Sequence, residues 1–178
     1  MKFIHCILLA VLCLMLFACE NDNEESKPAV ENASVNTLEN DEMTPPIEVD
    51  EKIIQEIDWE VSETFEAGNY TMRGIPNKVG FIDAPLIENK GNKYMWHFWG
   101  ELPDGELTLI GIKKDSEKLV PVLTQENQHV WTYSSPAGPN NGADAHLPSN
   151  MRLPESGKWA LLIYLGDKYF DNIIVNVK

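Results

Sequence analysis

The C-terminal two thirds of this chain consist of short runs of β-branched, aliphatic and aromatic residues, separated at close intervals by Gly, Pro, Asn and Asp. Runs of this kind between turn residues predict β-strands. No segment shows three helical turns of apolar periodicity, so the pattern lacks the crossover helices that parallel strands need. The predicted strands cover residues 59–65, 70–75, 79–82, 93–100, 106–113, 119–123, 129–134, 146–153, 158–165 and 169–177.

These strands predict an all-β domain folded as an immunoglobulin-like antiparallel β-sandwich, with a small β-barrel as the alternative. The last strand carries Ile173, Val175 and Val177 on one face, which is the alternation of a half-buried strand. Gly166 and Asp167 are predicted to form the hairpin turn before it. All five tryptophans lie within residues 59–178, and a segment of this length can support one hydrophobic core.

The N-terminus has the pattern of an export signal. Lys2 precedes an almost unbroken apolar run, which is shorter than the roughly 20 residues of a membrane-spanning helix. The run ends in Leu16-Phe17-Ala18-Cys19, which resembles the lipobox of bacterial lipoproteins. The resemblance implies cleavage before the cysteine and acylation of Cys19, leaving no thiol pair for a disulfide. A retained anchor helix and a plain secretory signal are the alternatives.

An acidic segment follows the signal. Residues 20–58 contain thirteen acidic residues against two lysines, and no aromatic residue. Low hydrophobicity with high net charge predicts a disordered spacer. Ile53, Ile54 and Ile57 lie at helical spacing, which predicts one short helix or a first contact with the domain. The expected organisation is a signal peptide over 1–18, a lipidated acidic tether over 19–58 and a β-sandwich over 59–178.

The domain also resembles an uncharacterised family of Gram-positive lipoproteins with immunoglobulin-like domains. The segments that carry the resemblance are Lys93–Gly100, Leu153–Leu161 and Ile173–Val177. It covers most of residues 70–178. The resemblance implies a sandwich fold and a location at the cell surface, and it supplies no catalytic residue.

Charge and motifs limit the classes of function. The formal net charge of -14 argues against nucleic acid as a partner, because nucleic-acid binding depends on Lys and Arg neutralising phosphates. The chain contains none of the H-E-x-x-H, G-x-S-x-G, P-loop or C-x-x-C motifs. We therefore expect neither an enzyme nor a cofactor.

Aromatic residues are the best candidates for a contact surface. The run around Trp99 is apolar on both faces, which is usual for a central strand with one face in the core. His129, Trp131 and Tyr133 alternate along a predicted strand, so they would stand side by side if exposed. Together with Trp99 they would form a platform for sugar rings or partner side chains. Burial in the core is the competing interpretation.

The turn-rich loop 135–144 is the second candidate, because recognition residues often lie on loops of rigid sandwiches. Asn140 and Asn141 are its candidate contact residues, and Asn141-Gly142 predicts a tight turn. Asp144 and His146 form a D-x-H pair that could offer a metal an oxygen and a nitrogen. Since a metal site needs three or four ligands, no metal is expected.

Together these features predict an extracytoplasmic lipoprotein, held at the outer face of the cell membrane by its lipid. Its sandwich is expected to be a binding or interaction module, with a cell-wall glycan or a protein as partner. An accessory subunit of a membrane or cell-wall complex and a cell-surface hydrolase are the alternatives.

Overall fold

A computed structural model describes residues 44–178. The predicted signal peptide, Cys19 and the first part of the predicted tether lie outside the described residues. Within residues 44–178, no helix has the length and apolar character needed to cross a membrane.

One short helix and eleven strands make up the described chain. The helix α1 spans Glu51–Gln55. The strands are β1 Thr64–Ala67, β2 Tyr70–Ile75, β3 Val79–Ile82, β4 Asn92–Phe98, β5 Leu107–Lys113, β6 Leu119–Pro121, β7 Leu123–Gln125, β8 Gln128–Val130, β9 Ala145–Met151, β10 Gly157–Leu165 and β11 Lys168–Val177.

The strands form two antiparallel sheets. The larger sheet has seven strands in the order β1-β2-β3-β4-β9-β7-β8, and the smaller has four in the order β11-β10-β5-β6. Neither sheet closes into a barrel, so the predicted antiparallel sandwich is confirmed. The turn at Gly166, whose φ of 59° suits a glycine, joins β10 to β11 as the predicted hairpin.

The two sheets face each other across one continuous core. Trp96 of β4 is fully buried there, and its Nε1–H donates to Ser149 Oγ of β9 at 3.0 Å. Apolar side chains of the smaller sheet meet it from the other side. The buried aliphatic residues that this sheet contributes are Leu107, Leu109, Leu161, Ile163, Leu165, Ile173, Val175 and Val177.

The outer face of the four-stranded sheet is apolar as well. It carries a second buried cluster that includes Ile110, Leu162 and Ile174. The segment 47–59, which we call the N-terminal strap, covers this cluster with its aliphatic side chains. Ile57 is the most deeply placed of them, with 8% of its surface exposed.

The strap contains the short helix predicted from the isoleucine spacing. Asp50 caps this helix by accepting a hydrogen bond from the Lys52 N–H at 2.8 Å. The packed domain therefore begins near residue 47, earlier than the boundary at 59 that the sequence predicted. The physical reason is that aliphatic side chains are spaced among the acidic ones here, and burying them offsets the cost of ordering this stretch.

The chain changes sheets after β8. The Leu109 N–H donates to the Trp131 carbonyl at 3.0 Å, and the Tyr133 N–H donates to the Leu107 carbonyl at 3.0 Å. The stretch after β8 thus lies beside β5 at the edge of the smaller sheet. The single strand predicted over 129–134 is divided between the two sheets.

We predict that the strap folds as part of the domain. Ile57→Ala should lower the free energy of unfolding by about 2 kcal/mol or more, because it leaves a cavity under the strap. Ile87→Ala is the matched control, since Ile87 is 42% exposed and its loss should cost at most about 0.5 kcal/mol. Urea unfolding of the two variants checks this, and equal costs would contradict the strap's contribution.

Candidate binding cleft beside Trp99

The outer face of β4 begins the candidate site. Side chains alternate along the strand, so burial of Trp96 and Phe98 in the core directs His97 and Trp99 to the opposite face. His97 is nevertheless fully buried, whereas Trp99, which follows the last residue of β4, is half-buried. The site therefore lies on the outer face of the seven-stranded sheet, on the side away from the core.

The indole of Trp99 is held in a fixed position. Its Nε1–H donates to the Gly142 carbonyl at 2.9 Å. The Phe65 ring of β1 packs against it edge to face, with 5.9 Å between the ring centroids and 63° between the planes. Gly80 permits this packing, because a Cβ there would lie 3.0 Å from the Phe65 ring.

The loop 135–144 supplies the opposite side of the site through a tight turn. The Ala143 N–H donates to the Asn140 carbonyl at 2.9 Å, and the Asn140 N–H donates to the Ala143 carbonyl at 3.2 Å. Asn141 and Gly142 between them have φ values of 48° and 81°, as a two-residue hairpin turn requires. The predicted turn at Asn141-Gly142 is confirmed.

Two further contacts fix this loop against β4. Asp144 Oδ2 accepts a hydrogen bond from the Gly100 N–H at 2.7 Å. The Asn141 side chain lies over His97, with 3.2 Å between Nδ2 and the His97 Nε2. The loop is thus tied to the strand that carries Trp99.

Trp99, the end of β1, the turn between β2 and β3, and the loop 135–144 form the walls of an open cleft of about 310 Å³. Its lining combines two aromatic residues, two asparagines and several small or turn residues, and its charged member is Glu66. The Glu66 Oε1 accepts a hydrogen bond from the Thr71 hydroxyl at 2.8 Å. The lining residues are Phe65, Glu66, Ala67, Gly68, Pro76, Asn77, Trp99, Asn141 and Gly142.

His97 forms a neutral base beneath the cleft. Burial is the main cause that lowers its pKa, the nearby His146 on β9 lowers it further, and the Met95 carbonyl acts in the opposite direction. A neutral imidazole can accept the hydrogen bond from Asn141 at Nε2 when its proton is on Nδ1. Deprotonated His97 therefore helps to orient Asn141.

The three aromatic residues predicted to alternate on one strand do not come together. His129 lies on β8, where its Nε2 accepts a hydrogen bond from the Arg152 Nε at 3.2 Å. Trp131 is 9% exposed and packs in the cluster under the strap, whereas Tyr133 packs against the central core. The platform does not form because the chain changes sheets between His129 and Trp131, and because Trp131 and Tyr133 pack in different clusters.

The D-x-H pair is used inside the loop. Asp144 binds the Gly100 N–H, and His146 Nδ1 lies 2.7 Å from the Gly138 carbonyl. In the part of the chain that the structure describes, no three His, Cys, Asp or Glu side chains converge as a metal would require.

Of the site residues predicted from sequence, Trp99 and Asn141 line the cleft, and Asn140 forms the hydrogen bonds of the turn that contains Asn141. Sequence reasoning missed Phe65 and Asn77. Both lie at or near the predicted turns at Gly68 and Pro76, and this position was the one feature of the sequence that could have marked them as site residues. The Phe65–Trp99 contact joins segments that are distant along the chain, and Asn77 lines the same cleft.

Comparisons with known proteins agree with the fold. The family model described as "Domain of unknown function (DUF4871)" matches residues 49–175, a range that begins inside the strap. An X-ray crystal structure of a protein named "putative lipoprotein" from Bacillus anthracis is similar, with 30% identity and a TM-score of 0.65. The similarity covers 73% of this chain and 94% of that one. No protein with a curated description matches the chain.

We predict that the domain loses stability as the pH falls below about 6.5, the ordinary histidine pKa. The pKa values of His97 and His129 are lowered, mainly by burial and for His129 also by Arg152. The unfolded chain therefore binds more protons than the folded one in this range, and the stabilisation present above pH 6.5 is lost on acidification.

Urea unfolding at pH 5, 7 and 8 measures this effect. The free energy of unfolding should fall from pH 7 to pH 5 and change little from pH 7 to pH 8. The double variant His97→Gln, His129→Gln should show a smaller fall. An unchanged fall in the double variant would assign the acid sensitivity to other groups.

Proposed function

We propose that this chain, which belongs to the DUF4871 family, is a lipid-anchored extracytoplasmic protein that binds a cell-surface ligand in the cleft beside Trp99. Two independent observations support the anchor. One is the lipobox-like ending of the apolar N-terminal run at Cys19, and the other is the similarity to the Bacillus anthracis protein named "putative lipoprotein". The proposed location is the outer face of the cell membrane.

The observation that carries the binding role is the fixed Trp99 indole at the wall of an open cleft. Phe65 and the Gly142 carbonyl hold the ring, and loop 135–144 is itself hydrogen-bonded to β4. A ligand would therefore meet a surface that needs little ordering on binding. Such preorganisation increases affinity by reducing the entropic cost of association.

The first experiment tests the anchor. Cys19→Ala should move the protein from the membrane fraction to the soluble fraction and abolish incorporation of a labelled fatty acid. Cys13→Ala is the matched control, because this cysteine lies inside the apolar run and should leave anchoring unchanged. Equal membrane retention and equal labelling of both variants would contradict the proposal.

The second experiment tests the cleft with purified cell-wall sacculi, using the full chain solubilised in detergent. Trp99→Ala should reduce the amount of protein that sediments with the sacculi by at least tenfold. Trp59→Ala is the control, since this half-buried tryptophan lies in the strap on the other sheet. Urea unfolding of each variant shows that it is folded. Equal retention of the wild type and Trp99→Ala would remove the cleft from the proposed function.

A further inference from the structure

Resting on the proposed function, we infer that the cleft beside Trp99 takes a neutral glycan that carries N-acetyl groups. The inference uses three properties of the cleft, namely its apolar surface, its amide-rich rim and its charge.

The apolar surface fits the C–H face of a sugar ring. The single N–H donor of Trp99 is already bonded to the Gly142 carbonyl, so the indole offers a ligand its ring rather than a hydrogen bond. Phe65 and Pro76 extend this apolar surface. The volume of about 310 Å³ is at the lower end of the roughly 300–1,000 Å³ of small-molecule sites, which suits a short stretch of sugar units.

The polar rim fits hydroxyl and acetamido groups. Asn77, Asn141 and Gly142 line the cleft. A side-chain amide both donates and accepts hydrogen bonds, as do hydroxyl and acetamido groups. The methyl of an acetamido group would meet the neighbouring rings. This combination of amides and aromatic rings distinguishes an N-acetylated sugar from a purely apolar ligand.

The charge of the cleft disfavours anionic ligands. No Lys or Arg is among its lining residues, so an anionic polymer finds no counter-charge there. The Glu66 carboxylate accepts a hydrogen bond from Thr71. A neutral ligand needs no counter-charge and therefore matches this lining.

The test is calorimetric titration of the full chain in detergent micelles with the β-1,4-linked trimer of N-acetylglucosamine. The wild type should bind saturably, and Trp99→Ala should bind at least tenfold more weakly. Trp99→Phe should lose less affinity than Trp99→Ala, because it retains an aromatic face. Asn141→Gly should bind about threefold or more weakly, while its backbone keeps the positive φ of 48°. Trp59→Ala should bind like the wild type.

Competition on cell-wall sacculi separates the two proposals. If the trimer displaces the protein from sacculi in a Trp99-dependent way, the glycan class is supported. If retention depends on Trp99 but the trimer neither binds nor competes, the glycan class is overturned and the binding role stands. Displacement by a cell-wall stem peptide or by a polyphosphate instead would also overturn it. If retention does not depend on Trp99, the binding role of the cleft and the glycan class both fail.

Discussion

Burial of Trp96 between the two sheets is the contact on which the rest of the arrangement depends. Its indole is packed against Phe81 at 5.0 Å and against Phe98 at 6.3 Å, and its N–H is satisfied by Ser149 on the neighbouring strand. A buried indole needs such a partner, because an unpaired N–H in the core costs about 1–3 kcal/mol. This pairing fixes both the face and the register of β4 against β9.

The cleft is a consequence of that register. With Trp96 directed into the core, His97 must point outwards, and it lies opposite His146 across the β4–β9 pair. The loop that precedes β9 therefore returns beside the end of β4. Its turn at Asn141 comes to lie over His97, and its Gly142 carbonyl reaches the Trp99 indole. The site is thus determined by the core, although its residues lie outside the core.

Most of the strands could be predicted from sequence because their ends are set by local turn residues. The strands Tyr70–Ile75 and Val79–Ile82 have the predicted bounds, and the hairpin at Gly166 is where the sequence placed it. The Asn141-Gly142 turn was predictable for the same reason, since positive φ values restrict which residues can form it. Local backbone chemistry therefore accounts for the part of the fold that was foreseen.

Contacts between distant strands could not be predicted in this way. Trp131 and Tyr133 alternate like neighbours on one face, but hydrogen bonds to β5 draw this stretch to the other sheet and bury Trp131 under the strap. The Phe65–Trp99 contact likewise depends on how β1 pairs with β2 and on the small size of Gly80. Neither partner choice is contained in the periodicity of a single strand.

The strap shows how one segment can serve two physical requirements. A sheet with apolar residues on both faces needs a cover on each, and for the four-stranded sheet the chain supplies the outer cover from its own N-terminal side. Acidic residues such as Glu51 remain exposed, while Ile57 is buried beneath them. The side chains that close this face therefore also fix where the chain enters the packed domain. Ile57 meets both requirements, because its burial covers the apolar surface of the smaller sheet and holds the strap against it.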